Sequence, residues 1–387
     1  TDLSAAQTQF EYPAGYPFAL VISLLALGCT QDIEPVSPPS GWANGPYVAA
    51  HTTLVIDDPA RALSLTVEVW YPGVGSVALG APVAEFEALP ESRSALTELL
   101  QAATPGCPSL LTQANRDAPA IKGLGDRPLV MFSHCYNCGR YSSFSLAERL
   151  ASHGMIVVAP DHAGPMPFAE DHEGESLDAE QLEQRVDDLR LLISASLDGS
   201  LFDLSSVLEG LSIDPQRIGA YGHSFGSATT GRLAQVDSRI RAAAGLAAPM
   251  ASFVFPSVAM GEILVPLLFV LAQEDNSITE IGNDLLRNNI AEAVSPVWVL
   301  ELADAGHWSV SDLCGLVPAF EAGCGQGVRH SRGREGEAFA YIPVRQGIQT
   351  TQGYLTTFFL AQLAGDAPAL ALLNTPLDEE GVVWRAP

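Results

Sequence analysis

Residues 217–226 read RIGAYGHSFG, a run of apolar and small residues that ends in Gly222-His223-Ser224-Phe225-Gly226. The run predicts a buried strand over 217–222 and, beyond the turn, a helix over Ser227–Gln235. A serine between strand and helix, with glycine two residues to either side, is the pattern G-x-S-x-G. The turn must be sharp and must strain the serine. Gly222 and Gly226 then let neighbouring backbone approach closely. Serine alone is a poor nucleophile and needs a base within hydrogen-bond reach. The stretch therefore predicts a strand–turn–helix unit and a nucleophile, Ser224.

Outward from that unit, strands alternate with helices. HTTLVID (51–57) and LSLTVEVWYP (63–72) read as an antiparallel pair. Residues 74–126 form a Pro/Gly-interrupted insertion with one helical pattern near Glu91–Ala102. PLVMFSH (128–134), MIVVAP (155–160), IRAAAGL (240–246), PLLFVLAQ (266–273) and VWVLELA (297–303) are continuous apolar runs. Helical patterns lie over 142–152, 177–197, 281–294 and 349–363. Unbroken apolar strands separated by helices predict an α/β fold, with a mostly parallel central sheet covered by helices on both faces. The expected domain runs over 41–387.

The base is expected after the last strand, in the chain order serine, acid, histidine. Gly306-His307-Trp308 follows VWVLELADA, which makes His307 the base; His330 lies in a polar, Arg-rich stretch. The acid is expected after the preceding strand, where VLAQEDNSI offers Asp275, three residues beyond Ala272, with Glu274 as fallback. Its task is to fix the tautomer of His307 and stabilise the imidazolium. Asp304 is too close to His307 and reads as a loop cap, and the end of the strand 240–246 carries only Ala247 and Ala248. An oxyanion hole needs two backbone N–H groups aimed where negative charge develops. Phe225 supplies one. Tyr136, in the loop His134-Cys135-Tyr136-Asn137-Cys138-Gly139, is the expected second donor.

Phe132-Ser133-His134, the strand end Val157–His162, the elbow Gly222–Gly226 and Gly306-His307-Trp308 together resemble the α/β-hydrolase superfamily. Within it the chain is similar to the branch of dienelactone-hydrolase-like esterases and secreted platelet-activating-factor acetylhydrolases, over roughly residues 45–365. The resemblance implies a serine esterase with Ser224, Asp275 and His307 as its triad and Tyr136 and Phe225 as oxyanion donors. The chain departs from that branch in three places. Cys135 stands where glycine usually follows the oxyanion-loop histidine. Ala247 stands where the acetylhydrolases carry their acid. Ser224 stands where dienelactone hydrolases proper use cysteine.

Composition narrows the substrate. Nineteen Lys and Arg against 45 Asp and Glu give a net charge of −26, yet charged residues make up only 17% of the chain, below the roughly 25% of an ordinary domain. Bases are scarce, and Lys122 is the single lysine. Electrostatic nucleic-acid binding is excluded, and the scarcity of bases argues against polybasic docking on anionic membrane. Anionic substrates are disfavoured and neutral esters fit. A small neutral ester is the expected substrate, with a polyester as the enzymatic alternative and a non-catalytic binding protein on the same scaffold as the alternative from another class. No cofactor and no metal are expected.

FALVISLLALG (18–28), followed by Cys29 and a Pro/Ser-rich linker, has the length of a signal-peptide apolar region and is too short to span a bilayer. Residues 1–40 are therefore expected to be a leader, with Cys29 as a lipidation site, and the protein to be secreted, periplasmic or an outer-membrane lipoprotein. Cys314 and Cys324 are spaced for a local disulfide, Cys107 stands alone, and the Cys135-x-x-Cys138 pair reads as a structural disulfide stiffening the oxyanion loop. The acidic run Glu170–Glu175 reads as a solvated loop, and Asp187, Asp188 and Arg190 as the polar face of a helix. Phe253, Phe255 and Trp308 read equally as pocket lining or as core.

Overall fold

The computed structural model describes residues 41–76, 80–162, 176–379 and 381–387. The leader with Cys29 and the acidic run Glu170–Glu175 lie outside the described residues. The sheet strands are β1 (Val48–Asp58), β2 (Leu63–Gly73), β3 (Asn115–Arg116), β4 (Arg127–Ser133), β5 (Ile156–Pro160) and β6 (Ile213–His223). They continue with β7 (Ile240–Leu246), β8 (Leu267–Ala272), β9 (Val297–Leu302), β10 (Leu377–Glu379) and β11 (Val382–Arg385). The helices are α1 (Pro90–Ala102), α2 (Phe144–Ser152), α3 (Ala179–Asp198), α4 (Phe225–Val236), α5 (Thr279–Glu292), α6 (Val344–Leu363) and α7 (Ala367–Leu373).

The strands join one sheet in the order β10-β11-β9-β8-β7-β6-β4-β5-β2-β1-β3. The six central strands, from β5 to β9 across the sheet, are mutually parallel. The expected hairpin β1–β2 flanks them, with β2 pairing antiparallel to β5. Consecutive residues of a strand point to opposite faces, and the core follows that rule. In β4, Val130 and Phe132 pack with α2 and α6, whereas Leu129 and Met131 pack with α3 and α4. Both faces are covered, which is why these strands read as unbroken apolar runs rather than alternating ones. Among the described residues no helix is long and apolar enough to cross a membrane.

The end of the chain departs from expectation. Helix α7, capped by the Asp366 carboxylate accepting from the Ala369 N–H at 2.8 Å, leads into the hairpin β10–β11, which extends the sheet antiparallel to β9. Strands of three and four residues at a sheet edge are too short to carry a period, so pattern alone passes over them. Trp384 anchors them: its indole N–H donates to the Leu373 carbonyl at 2.8 Å and its ring stacks on Tyr354.

The cysteine pairing also differs. Cys324 joins Cys107, 217 residues away, rather than Cys314, which is buried and free. The loop after α1 lies against the Gly315 region, where a Cβ on Gly315 would meet the Cys107 Cβ at 2.9 Å, while Cys314 faces the apolar core. Sequence proximity could not reveal a partner delivered by a remote loop. The pair Cys135–Cys138 forms as expected.

Candidate active site

Ser224 occupies the turn between β6 and α4 with φ 57° and ψ −119°, left-handed backbone that a residue with a Cβ rarely adopts. The turn is held by the Ser224 N–H donating to Leu246 O at 3.0 Å and the Ser227 N–H donating to Ser224 O at 2.8 Å. The two glycines are steric necessities. A Cβ on Gly222 would sit 1.9 Å from Gly226 O, and one on Gly226 would sit 1.9 Å from Ser133 O. The second contact brings the N-terminus of α4 directly onto the start of the loop 134–139. Of residues 221–230 all but Ser224 are buried, and Ser224 lies at the positive end of α4, where negative charge is favoured.

His307 and Asp275 come together from the loops after β9 and β8. The His307 Nδ1 lies 2.7 Å from Asp275 Oδ2, and both residues are buried. Asp275 Oδ1 accepts the N–H groups of Ser277 and Ile278 at 3.0 and 2.9 Å. Because the carboxylate only accepts, Nδ1 carries the proton and Nε2 keeps its lone pair. Among the described residues Ser224 Oγ makes no hydrogen bond to His307. Such contacts tighten in the substrate complex rather than in the free enzyme. Glu274, the fallback acid, is taken by Arg329 at 2.7 Å and by the Ser331 hydroxyl at 2.6 Å. Asp304 pairs with the same arginine at 2.5 Å.

The elbow histidine also has a task. The His223 Nε2–H donates to the His307 carbonyl at 2.9 Å and its ring lies 4.9 Å from the His307 ring. Burial, and after it the neighbouring His307, push its pKa down to about 3, so His223 acts as a neutral strut that fixes the backbone of His307 next to Ser224.

Tyr136 is half-buried in the loop closed by the Cys135–Cys138 disulfide. That loop is tied at both ends. At its far end the Arg140 guanidinium reaches Asp161 at 2.7 Å and the buried Glu68 at 3.1 Å, and the Arg140 N–H donates to Asp161 Oδ1. At its near end His134 Nδ1–H donates to Cys135 O at 2.7 Å, and Nε2 accepts from the His162 N–H at 3.1 Å. His162 in turn bridges Ser133 Oγ and the Asp188 carboxylate at 3.0 and 2.8 Å. Burial holds both imidazoles well below the ordinary histidine range, so they serve as neutral linkers. Asp188 thus leaves the polar helix face on which Asp187 and Arg190 remain.

A cleft of about 230 Å³ opens at Ser224. Phe225, Phe255, Phe253, Val254, Ile278 and Ile281 make its walls, and among the described residues no charged side chain lines it. Phe225 and Phe255 stack at 5.0 Å, while Phe253 is 75% exposed at the rim. Trp308 packs in the core instead, stacked on Phe320 behind His307.

Arg185 and Arg140 are neighbours of the site that the sequence reading did not single out. Arg185 left a trace: it sits three residues after Leu182 and four before Leu189, on the stripe of α3 that faces the core.

A model of the family described as "Platelet-activating factor acetylhydrolase, isoform II" matches residues 41–183. A solved ferulic acid esterase from Streptomyces cinnamoneus superposes with a TM-score of 0.61 at 24% identity, covering 87% of this chain and 96% of that one. Its eleven-stranded sheet, its helix-covered faces and its serine turn between β6 and α4 give the chain an α/β-hydrolase fold, similar to that of the esterase.

Proposed function

We propose that the protein is a serine hydrolase that cleaves neutral carboxylic esters through an acyl-enzyme. The observation that carries this reading is the Asp275–His307 pair, 2.7 Å apart, behind a strained serine at the mouth of an apolar cleft. His307 Nε2 takes the Ser224 proton as Oγ attacks the ester carbonyl. The Tyr136 and Phe225 N–H groups receive the oxyanion, and the imidazolium returns the proton to the departing alcohol. Water then repeats the sequence on the acyl-enzyme and releases the acid.

The cleft supports an apolar acyl group, and the Phe225–Phe255 stack offers a face to an aromatic one such as the ferulic acid named for the structural relative. Ser224→Ala should abolish turnover of a chromogenic short-chain ester without lowering the melting temperature; retained activity removes the assignment. An ester chain-length profile would then place the acyl preference. A second reading, polyester hydrolysis, is favoured by the apolar residues exposed at the rim, Phe253 and Ile281. Release of soluble monomers from a polyester film separates the two. The two disulfides, Cys107–Cys324 and Cys135–Cys138, support work in an oxidising compartment, consistent with secretion.

A further inference from the structure

Arg185 is fully buried in α3, and its guanidinium meets both halves of the proposed oxyanion site. Nη1 donates to the His134 carbonyl at 2.6 Å and Nη2 to the Cys135 carbonyl at 3.3 Å. The same guanidinium lies over the Phe225 ring, 4.2 Å from its centre. The Cys135 carbonyl belongs to the peptide unit that carries the Tyr136 N–H. In a planar trans peptide, C=O and N–H point in opposite directions. Donors gathered on Cys135 O therefore fix where the Tyr136 N–H aims. Three converge there: Arg185, the His134 imidazole at 2.7 Å and the Cys138 N–H at 3.3 Å. The other donor, the Phe225 N–H, belongs to the residue whose ring forms the platform under the guanidinium.

We propose that Arg185 is the positioning residue of the oxyanion site. Through the Cys135 carbonyl it sets the direction of the Tyr136 N–H, and through the Phe225 ring it locks that loop to the start of α4. The inference rests on the assignment of Ser224, Tyr136 and Phe225 proposed above. The residue type is required. A guanidinium is a flat fork that can lie on a ring while its edge donates to two carbonyls, and a lysine ammonium cannot do both. The cation also sits buried close to where the oxyanion forms, where it is screened less than it would be in water.

The test compares Arg185→Lys with the parent on a p-nitrophenyl acetate assay and against a trifluoromethyl ketone, which forms a hemiketal with the serine and needs the oxyanion site. Loss of one oxyanion donor lowers kcat by about 100- to 1000-fold, so a donor left in place but misaimed should cost about 30-fold. The expected result is that loss in kcat with KM changed less than about twofold, and hemiketal affinity weakened by the same factor as kcat. A residue that only supports the fold would lower the melting temperature and leave the hemiketal constant unchanged. Undiminished kcat, or a fall in kcat without the matching loss of hemiketal affinity, overturns the inference. Should Arg185→Lys not fold, Phe225→Leu keeps the N–H and removes the platform. It should lower kcat on the acetate ester by about tenfold, and unchanged kcat there overturns the inference equally. Ser224→Ala runs in parallel: activity surviving in that variant would sink the underlying assignment rather than the role of Arg185.

Discussion

Asp275 grips His307 with one carboxylate oxygen, at 2.7 Å, while its other oxygen is held by the Ser277 and Ile278 N–H groups. The carboxylate is fixed before the imidazole is considered, so the imidazole has one orientation and one tautomer. Replacing Asp275 by asparagine keeps the shape but offers an amide N–H where an acceptor is needed, which favours the wrong tautomer. Asp275→Asn should therefore lower kcat by about 10⁴-fold with the fold intact, the size of the corresponding change in serine proteases. Steady-state kinetics and a melting curve on the same sample check this. Activity within tenfold of the parent would remove Asp275 from the mechanism.

Glu274, the residue just before it, carries the opposite prediction. Its carboxylate neutralises the buried Arg329 and accepts from Ser331. Arg329 keeps Asp304 as a partner, so Glu274→Gln should cost about 1–2 kcal/mol for the weakened charge-assisted hydrogen bonds and leave kcat within a few-fold. Urea titration and kinetics together separate the neighbours; a catalytically dead Glu274→Gln with unaltered stability would exchange their roles.

This contrast marks how far the sequence was legible. The strand runs around Val130, Val157 and Val270 could be read because each is buried on both faces and its pattern is local. The strained turn at Ser224 and the contact of Asp275 with His307 could be anticipated because each residue follows a recognisable strand end. Arg185 was not legible, since its partners are backbone carbonyls that leave no mark in composition. Cys107 and Cys324 were not, because a pairing across 217 residues is a tertiary fact. Asp188 looked like solvated helix surface until His162 and Arg61 closed over it.

The two disulfides should fail differently. Cys107–Cys324 closes a long loop, and Ala322 and Gly323 beside it accept hydrogen bonds from the Trp308 N–H and the Ser309 hydroxyl, next to His307. Removing it by Cys107→Ser with Cys324→Ser should cost about 4 kcal/mol and lower the melting temperature, with kcat largely retained at 25 °C. Cys135–Cys138 spans three residues and constrains little of the unfolded chain, so its removal should act on kcat through the oxyanion loop. Burial pushes the Cys314 thiol up, so alkylation should reach it only after unfolding. Peptide mapping after iodoacetamide, native and denatured, reads this directly.

Gly226 separates a steric requirement from a preference for glycine. Its missing side chain lets α4 touch the Ser133 carbonyl, and the clash in Gly226→Ala is with backbone, which cannot swing aside. The variant should lose at least about 3 kcal/mol or fail to fold. Gly261, in open surroundings with nothing near its absent Cβ, should accept alanine with a change within about 0.5 kcal/mol. Equal behaviour of the two variants in a urea melt would contradict the packing account of the elbow.

Far from the cleft, Glu148 in α2 supplies a test of the pH dependence of stability. Burial pushes its pKa up to about 7, although its carboxylate accepts from Thr112 and from the Gln113 and Ala114 N–H groups. The sign follows from proton uptake. A glutamate in the unfolded chain releases its proton near pH 4.5, whereas the folded protein retains it to about pH 7. Between those values the folded state binds more protons, so stability falls as pH rises, and the loss is complete above about pH 7. Glu148→Gln stays neutral and keeps an acceptor oxygen for the two N–H groups. It also removes a negative neighbour from Asp312, whose carboxyl burial raises to about 6. Parent and variant should therefore have similar stability at pH 4 and diverge through the window. At pH 8 the variant should be more stable by up to about 3 kcal/mol. Urea midpoints at pH 4, 5.5, 7 and 8 provide the check, and parallel curves for the two proteins would show that Glu148 is already ionised in the fold at low pH.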